Sequence, residues 1–346
     1  MLVFIIAALW DTVAAWHTPR VAPVETPAAA PEPTVAPPVD VTPRQRTLSW
    51  VAGLAALAPF LLWHREFREL FWFADDLFLL DQLAQMGLRE WTTRVFAENY
   101  VPLFKLFWGG GALAFGGSYA AMLWLLWLTH ALNTFLLGRL LLRAGFPWLA
   151  CVGTQLLFAL TPANIETLGW SVQWSAVLAV TFLLLALGWL ERHRDDSRLL
   201  SWRVHGPLLF FAAASACCFS RGVLTGAVLA LGLVLPAVLA RDWRVVRQRL
   251  PGGLLCLGPA VAVTGMIMLH SAGNHQQLGG HWDEVLQFGA SYFLLNPGHV
   301  LLGTSLHPAV LLLLAGGKIG TIAAGLYFTR GRVRQLLWLL LAYDLG

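Results

Sequence analysis

The chain has 346 residues, of which 58% are hydrophobic and 12% charged, against about 25% charge in an ordinary soluble domain. With a mean hydropathy of +0.65 and apolar residues gathered into long blocks split by short polar clusters, a soluble fold is excluded and an all-α, polytopic membrane protein is expected. The net charge of +4 does not mark a nucleic-acid partner, because the cations fall between apolar blocks, where they read as topology signals.

Taken in chain order, residues 1–47 form a tail rich in Pro, Ala and Val from Pro19 to Pro43, a composition that stays extended. The first 16 residues are apolar but lack a basic leader and are too short to span. The membrane domain is expected over 48–346, with a short first span at 48–63 and a polar loop at 64–101. Apolar blocks follow at 102–117, 119–142, 147–162, 170–190, 206–220, 222–240, 252–270 and 308–328, with a second polar stretch at 271–305. The last block, 335–346, is unfinished, as in a sequence that continues further, and the total is about 9–10 spans or hairpins.

The arginine clusters Arg139/Arg143, Arg192/Arg194/Arg203, Arg241/Arg244/Arg247/Arg249 and Arg330/Arg332/Arg334 should share the cytoplasmic side, together with Arg44 and Arg46. The loop 64–101, the turn 163–169, the junction at Arg221 and the loop 271–305 then lie outside. The parity closes only if 102–117 does not cross, and Gly109-Gly110-Gly111 with Gly116-Gly117 would suit a broken or re-entrant hairpin there. Tryptophans near block ends (Trp50, Trp63, Trp148, Trp170, Trp189, Trp202, Trp243, Trp338) agree with this segmentation. Cys151, Cys217, Cys218 and Cys256 lie inside apolar blocks without metal-site spacing and read as small core residues. Lysine appears only at 105 and 318 among many Arg and Ala, usage expected of a bacterial genome and hence of a bacterial inner membrane.

The outer loop reads Phe71-Trp72-Phe73-Ala74-Asp75-Asp76-Leu77, followed by an amphipathic stretch at 77–96 suited to the membrane interface. Adjacent carboxylates can supply a general base, one raising the pKa of the other, or a ligand pair for a hard divalent cation. An isolated Asp-Asp is also simply a pair of solvated loop acids. Lys105 and Arg221 are cations at the outer ends of apolar segments, against the positive-inside bias, where they can hold a lipid phosphate or snorkel to headgroups. His130 and Asn133 share a helix face, and interhelical hydrogen bonding is the favoured reading for them and for Gln155. Glu166 could cap a helix or line an acceptor site. His270, His275, His281, His299 and His307 lack tight metal spacing.

The order of several stretches resembles the GT-C class of integral membrane glycosyltransferases, which transfer a sugar from a polyprenyl-phosphate carrier. The acidic pair Asp75-Asp76 stands just after the first span, as in that class. Asn99-Tyr100-Val101-Pro102-Leu103 stands where members have a His or Tyr-Arg before Pro-Leu. His130-Ala131-Leu132-Asn133 is similar to the family's His-x-x-Asn span, and Phe158 to Glu166 to a Phe-Ala-x-His-Pro-x-x-x-Glu turn. The resemblance covers roughly residues 48–240; Thr161 replaces the usual His, and no Arg precedes Pro102. It implies a transferase in which Asp75 or Asp76 is catalytic, Lys105 or Arg221 meets the donor phosphate, and Tyr100, Glu166, His130 and Asn133 support the acceptor side. The donor would be a lipid-linked sugar and a divalent cation the cofactor, if one is used. A transporter or flippase of lipid-linked sugars, or an inactive protein on the same fold, are the alternatives, and the absence of an internal repeat favours the enzyme.

Overall fold

The computed structural model describes residues 42–96, 99–161, 164–194, 201–270, 282–295 and 307–345. The chain is an all-α bundle, and among the described residues extended pairing is confined to one isolated bridge between Phe96 and Asn99. Among the described residues five helices are long and apolar enough to cross a membrane, which makes this an integral membrane protein.

Helix α1 (Pro43–Ala55) starts five residues before the expected span because Thr42 and Gln45 form a reciprocal capping box with Pro43 in the first turn. A break at residues 56–57 separates it from α2 (Ala58–Leu62), so the first apolar block is a kinked pair of helices. The polar loop is itself helical, with α3 (His64–Glu69), α4 (Asp75–Gln85) and α5 (Leu88–Thr93). Next, α6 (Pro102–Ala114) runs straight through Gly109-Gly110-Gly111, in place of the expected hairpin. It stops at Gly116 and Gly117, whose φ values of +58° and +76° reverse the chain. At 13 residues and 1.5 Å per residue, α6 is too short to cross a hydrocarbon layer about 30 Å thick.

The main bundle comprises α7 (Tyr119–Ala144), α8 (Trp148–Leu160), the short α9 (Asn164–Gly169), α10 (Trp174–Arg192), α11 (Trp202–Ala216), α12 (Leu224–Leu239) and α13 (Trp243–His270). Beyond them come α14 (Trp282–Leu294), α15 (Pro308–Phe328) and α16 (Gly331–Leu345). Helix α13 begins nine residues before the expected block, because Arg244, Arg247 and Arg249 belong to its first turns. Helix α7 packs against α10, α1 and α8; α12 packs against α13 and α16.

Lipid is as apolar as leucine, so close approach and internal hydrogen bonds hold such helices together. Asn133 Nδ2 donates to Val177 O at 2.8 Å. Gln155 Nε2 donates to Ser49 O and to Thr134 O, at 3.2 and 3.0 Å. Ser215 Oγ donates to Ala179 O at 3.0 Å and lies 2.8 Å from Thr225 Oγ1. Such bonds contribute about 0.6 kcal/mol each, up to about 1.7. A Cβ at Gly138 would run into the Gln155 amide, and one at Gly222 into Ser215 O. Helices α13 and α15 are different: only 17% and 11% of their most apolar windows are buried, so their apolar faces are left for lipid or another chain.

Contacts between distant residues define the two ends of the bundle. At one, Glu191 pairs with Arg194 at 3.4 Å and Arg332 at 3.5 Å, with Arg139, Arg143 and Arg192 close by. At the other, Trp72 meets Gly117, Tyr119 meets Gly169 and Asp76 meets Ser171. The arginine groups at 139–143, 192–194 and 332 thus share one end, and the acidic pair lies at the opposite end.

Candidate functional site

The site is built from the segment between α3 and α4. Trp72 Nε1 donates to Gly117 O at 2.9 Å, and its ring stands edge-on to Trp108 and Tyr119 with centroids 5.4 and 5.0 Å away. Phe73 stacks on Trp170 at 5.4 Å. Pinned on both sides, the backbone takes φ +48° and ψ −120° at Ala74, the dihedrals of the first central position of a type II′ turn, where glycine dominates. Asp76 N–H donates to Phe73 O at 3.0 Å and closes that turn. A non-glycine residue there is strained by about 1–3 kcal/mol, and such strain persists only where surrounding contacts over-determine it.

The turn delivers the two carboxylates into the first turn of α4 in opposite environments. Asp75 is exposed, whereas Asp76 is completely buried. Asp76 Oδ1 accepts from Ser171 Oγ at 2.6 Å. Ser171 Oγ in turn accepts from Trp108 Nε1 at 3.0 Å. Ser171 N–H donates to Tyr119 Oη at 3.3 Å, and that hydroxyl donates to Gly169 O at 3.0 Å. Asp76 Oδ2 is buried without a hydrogen-bond partner. Burial pushes the Asp76 carboxyl up to about 6, against the opposing pull of Ser171, and the neighbouring Asp75 charge adds to the rise. The sequence left the choice between the two acids open; the fold separates them into one that meets solvent and one that anchors the helix.

Split in this way, the pair offers a hard cation a single exposed carboxylate, short of the several oxygens such ions take. Among the described residues no group of three His, Cys, Asp or Glu is placed to hold a metal.

The two outer cations have other tasks. Lys105 is fully buried, and its Nζ donates to Trp91 O and Arg94 O, both at 2.9 Å, beside the Trp91 ring. It neither snorkels nor opens to a phosphate: an ammonium at the C-terminal end of α5 satisfies carbonyls that the helix leaves over. Arg221 is half-buried in the 3-10 turn Ser220–Val223 just before α12, and its Nη2 donates to Tyr343 O and Asp344 O, both at 3.3 Å, while the buried Nε has no partner. The two cations lie on joined elements, since Leu103 and Phe104 N–H donate to Cys217 O at 3.1 and 3.3 Å. Their side chains reach different partners, one toward α5 and the other toward α16.

His130 Nε2 lies 3.4 Å from Ala159 O, with its ring against Trp127 and Phe158. With Asn133 and Gln155 it ties helices together, as the sequence favoured. Tyr100 is half-buried just before α6. The Glu166 side chain, His275, His281 and His299 lie outside the described residues, while His270 is exposed at the end of α13 and His307 accepts from Ala309 N–H as the cap of α15.

Ser171, Trp108, Tyr119, Trp72 and Ala74 were not singled out by sequence. Ser171 stands just ahead of an apolar run, a position where serine reads as a helix start; nothing local points it at residue 76. No protein-family model, curated protein or solved structure matches this chain.

Proposed function

We propose that the protein is a membrane glycosyltransferase of GT-C type that moves a sugar from a polyprenyl-phosphate carrier to an acceptor at the face opposite the arginine end. By the positive-inside rule that face is extracytoplasmic, periplasmic in a bacterial inner membrane. The observation that carries the reading is the strained turn at Ala74, which exposes one carboxylate of an adjacent pair and buries the other in a hydrogen-bonded node. Strained backbone and a carboxyl with a displaced pKa together are the marks of a functional site.

In this reading Asp75 is the general base, because only an exposed carboxylate meets an acceptor hydroxyl. It takes the hydroxyl proton as the acceptor oxygen bonds to the anomeric carbon. The anomeric carbon–phosphate oxygen bond breaks, and its electron pair leaves with the lipid phosphate. Asp76 positions Asp75 by locking the first turn of α4 to Ser171. Of the two cations, Arg221 is the one assigned to the donor phosphate, because it is only half-buried whereas Lys105 is fully buried.

The test is sugar transfer by the purified protein from a polyprenyl-phosphate sugar, with donor binding measured alongside. Asp75→Asn should lower transfer about 10²–10⁴-fold with donor affinity kept. Full transfer by Asp75→Asn would refute the assignment, and donor binding and translocation without any new glycosidic bond would identify a flippase.

A further inference from the structure

A second group of charges lies within the membrane-spanning helices, apart from the acidic pair. Lys318 stands at the centre of α15, where a cation is costly. Its Nζ donates to Asp344 Oδ2 in α16 at 3.2 Å and to Phe293 O at the end of α14 at 2.6 Å, over the Phe293 ring. Lys318 and Asp344 stand equally far in residues before and after Gly331, so the hairpin of α15 and α16 brings them to one height. Asp344 also gives its main-chain carbonyl to Arg221 Nη2, at 3.3 Å.

Two cations therefore meet on a single residue, and they use it differently. Lys318 holds the carboxylate, whereas Arg221 holds only the carbonyls of Tyr343 and Asp344, with Nε buried and unpartnered. The group keeps one positive charge in excess. Its depth follows from α16, whose Arg332 is tied to Glu191 at the arginine end. Twelve residues separate Arg332 from Asp344, about 18 Å along the helix and beyond the middle of a hydrocarbon layer about 30 Å thick. A free anion would have to shed its water to reach that depth, while a phosphate carried on a lipid arrives from the side. The side is open: only 11% of the most apolar window of α15 is buried, a Cβ at Gly316, Gly317 or Gly320 would meet nothing within 4 Å, and the Asp344 side chain is 42% exposed.

The charge carried by such a phosphate changes during the proposed transfer. In the donor it is a diester with one negative charge, which Arg221 alone can match. When the anomeric carbon–oxygen bond breaks, the electron pair stays on the phosphate oxygen and leaves a monoester, with a charge of about −1.5 to −2 at pH 7. The second charge calls for a second cation, and Lys318 is the one that shares a residue with Arg221. We infer that Lys318 is held on Asp344 while the donor waits and turns to the leaving lipid phosphate as its second charge develops. A cation engaged by the charge-rich state and not by the ground state lowers the barrier without tightening donor binding. This role deepens the transferase reading and rests on its assignment of Arg221.

The test is binding by full-length protein in phosphatidylcholine nanodiscs at pH 8, with farnesyl phosphate, a monoester, and its methyl diester as probes. Wild type should bind the monoester at least about tenfold more tightly than the diester, the scale of one charge-assisted hydrogen bond, and inorganic phosphate should not displace it. Lys318→Met should erase that preference and keep the affinity for the diester. Asp344→Asn keeps the carbonyl for Arg221 but removes the anion that competes for Lys318, so it should tighten the monoester further. Each single variant leaves an ion unpaired, so the double variant Lys318→Met/Asp344→Asn, which removes both charges, is measured beside them and should bind the two probes equally. Equal binding of the probes by wild type, displacement by inorganic phosphate, or a preference that survives in the folded double variant would overturn the role of Lys318 and leave the acidic pair untouched. Failure of wild type to bind either probe would remove the phosphate assignment of Arg221 as well.

Discussion

Asp76→Asn is the sharpest perturbation available at the acidic end, because it removes a charge while keeping shape. Asp76 titrates near 6 in the folded protein against an ordinary value of 3.8, so the folded state binds its proton more tightly than the unfolded chain does. Stability from this group is therefore fully present below about pH 3.8 and is lost as pH rises through about 6. The displacement is about two pKa units, which corresponds to at most about 3 kcal/mol of destabilisation at pH 7–8 relative to a neutral side chain. Asparagine keeps an oxygen for the Ser171 hydroxyl and never ionises. The variant should be as stable as wild type at pH 4 and more stable at pH 7.5, by up to that amount. Thermal unfolding in detergent, followed by tryptophan fluorescence from pH 4 to 8, measures the difference. A variant whose melting temperature falls with pH as steeply as that of wild type would refute the reasoning, because the pH dependence would then belong to other groups.

Ala74→Gly relieves a left-handed backbone and should raise stability by about 1 kcal/mol, seen as a higher melting temperature; a fall would show that the turn is not held in this conformation. Gly222→Ala drives a methyl group into the Ser215 carbonyl and should cost about 1–3 kcal/mol or prevent folding, checked by yield and melting temperature. Lys105→Met should lower the melting temperature, through about 2 kcal/mol from two lost carbonyl bonds, while donor binding is kept. Arg221→Gln should weaken donor binding and, through its own two lost carbonyl bonds, lower the melting temperature as well. A binding loss confined to Lys105→Met would return the phosphate to Lys105.

The helices were legible where hydropathy alone decides them: the blocks at 119–142 and 308–328 became α7 and α15 with ends within two residues. For residues 102–117 the arginine parity asks only that they not cross fully, and α6 has 13 residues. Boundaries failed where polar residues continue a helix, as with Arg244, Arg247 and Arg249 in α13, because a charge on a helix flank reads as a loop in any hydropathy window. The acidic pair was legible as a pair, but the division of labour within it was not. That division depends on Ser171, which lies 95 residues away in sequence, and on a turn set by aromatic contacts from three separate elements. Lys105 was misjudged for a similar reason. Its partners are main-chain carbonyls, which every residue has and no motif announces.

Helix α6 shows why the buried carboxyl titrates closer to neutral pH than an ordinary aspartate. Lys105 and Trp108 are three residues apart and so project from neighbouring positions on one side of the helix. The ammonium is drawn to the free carbonyls at the end of α5, and the indole, a donor without charge, reaches Ser171 and through it Asp76. Had the cation taken the carboxylate as its partner, the pair would have been a buried salt bridge with Asp76 permanently ionised and its pKa well below the ordinary range. Neutral donors leave burial as the dominant influence, and the carboxyl titrates near 6. The α5 carbonyls that hold Lys105 touch neither aspartate; they keep this buried ammonium bonded away from the carboxylate. That arrangement makes the charge state of Asp76, and with it the charge felt by the exposed Asp75 beside it, responsive to pH within about one unit of 6.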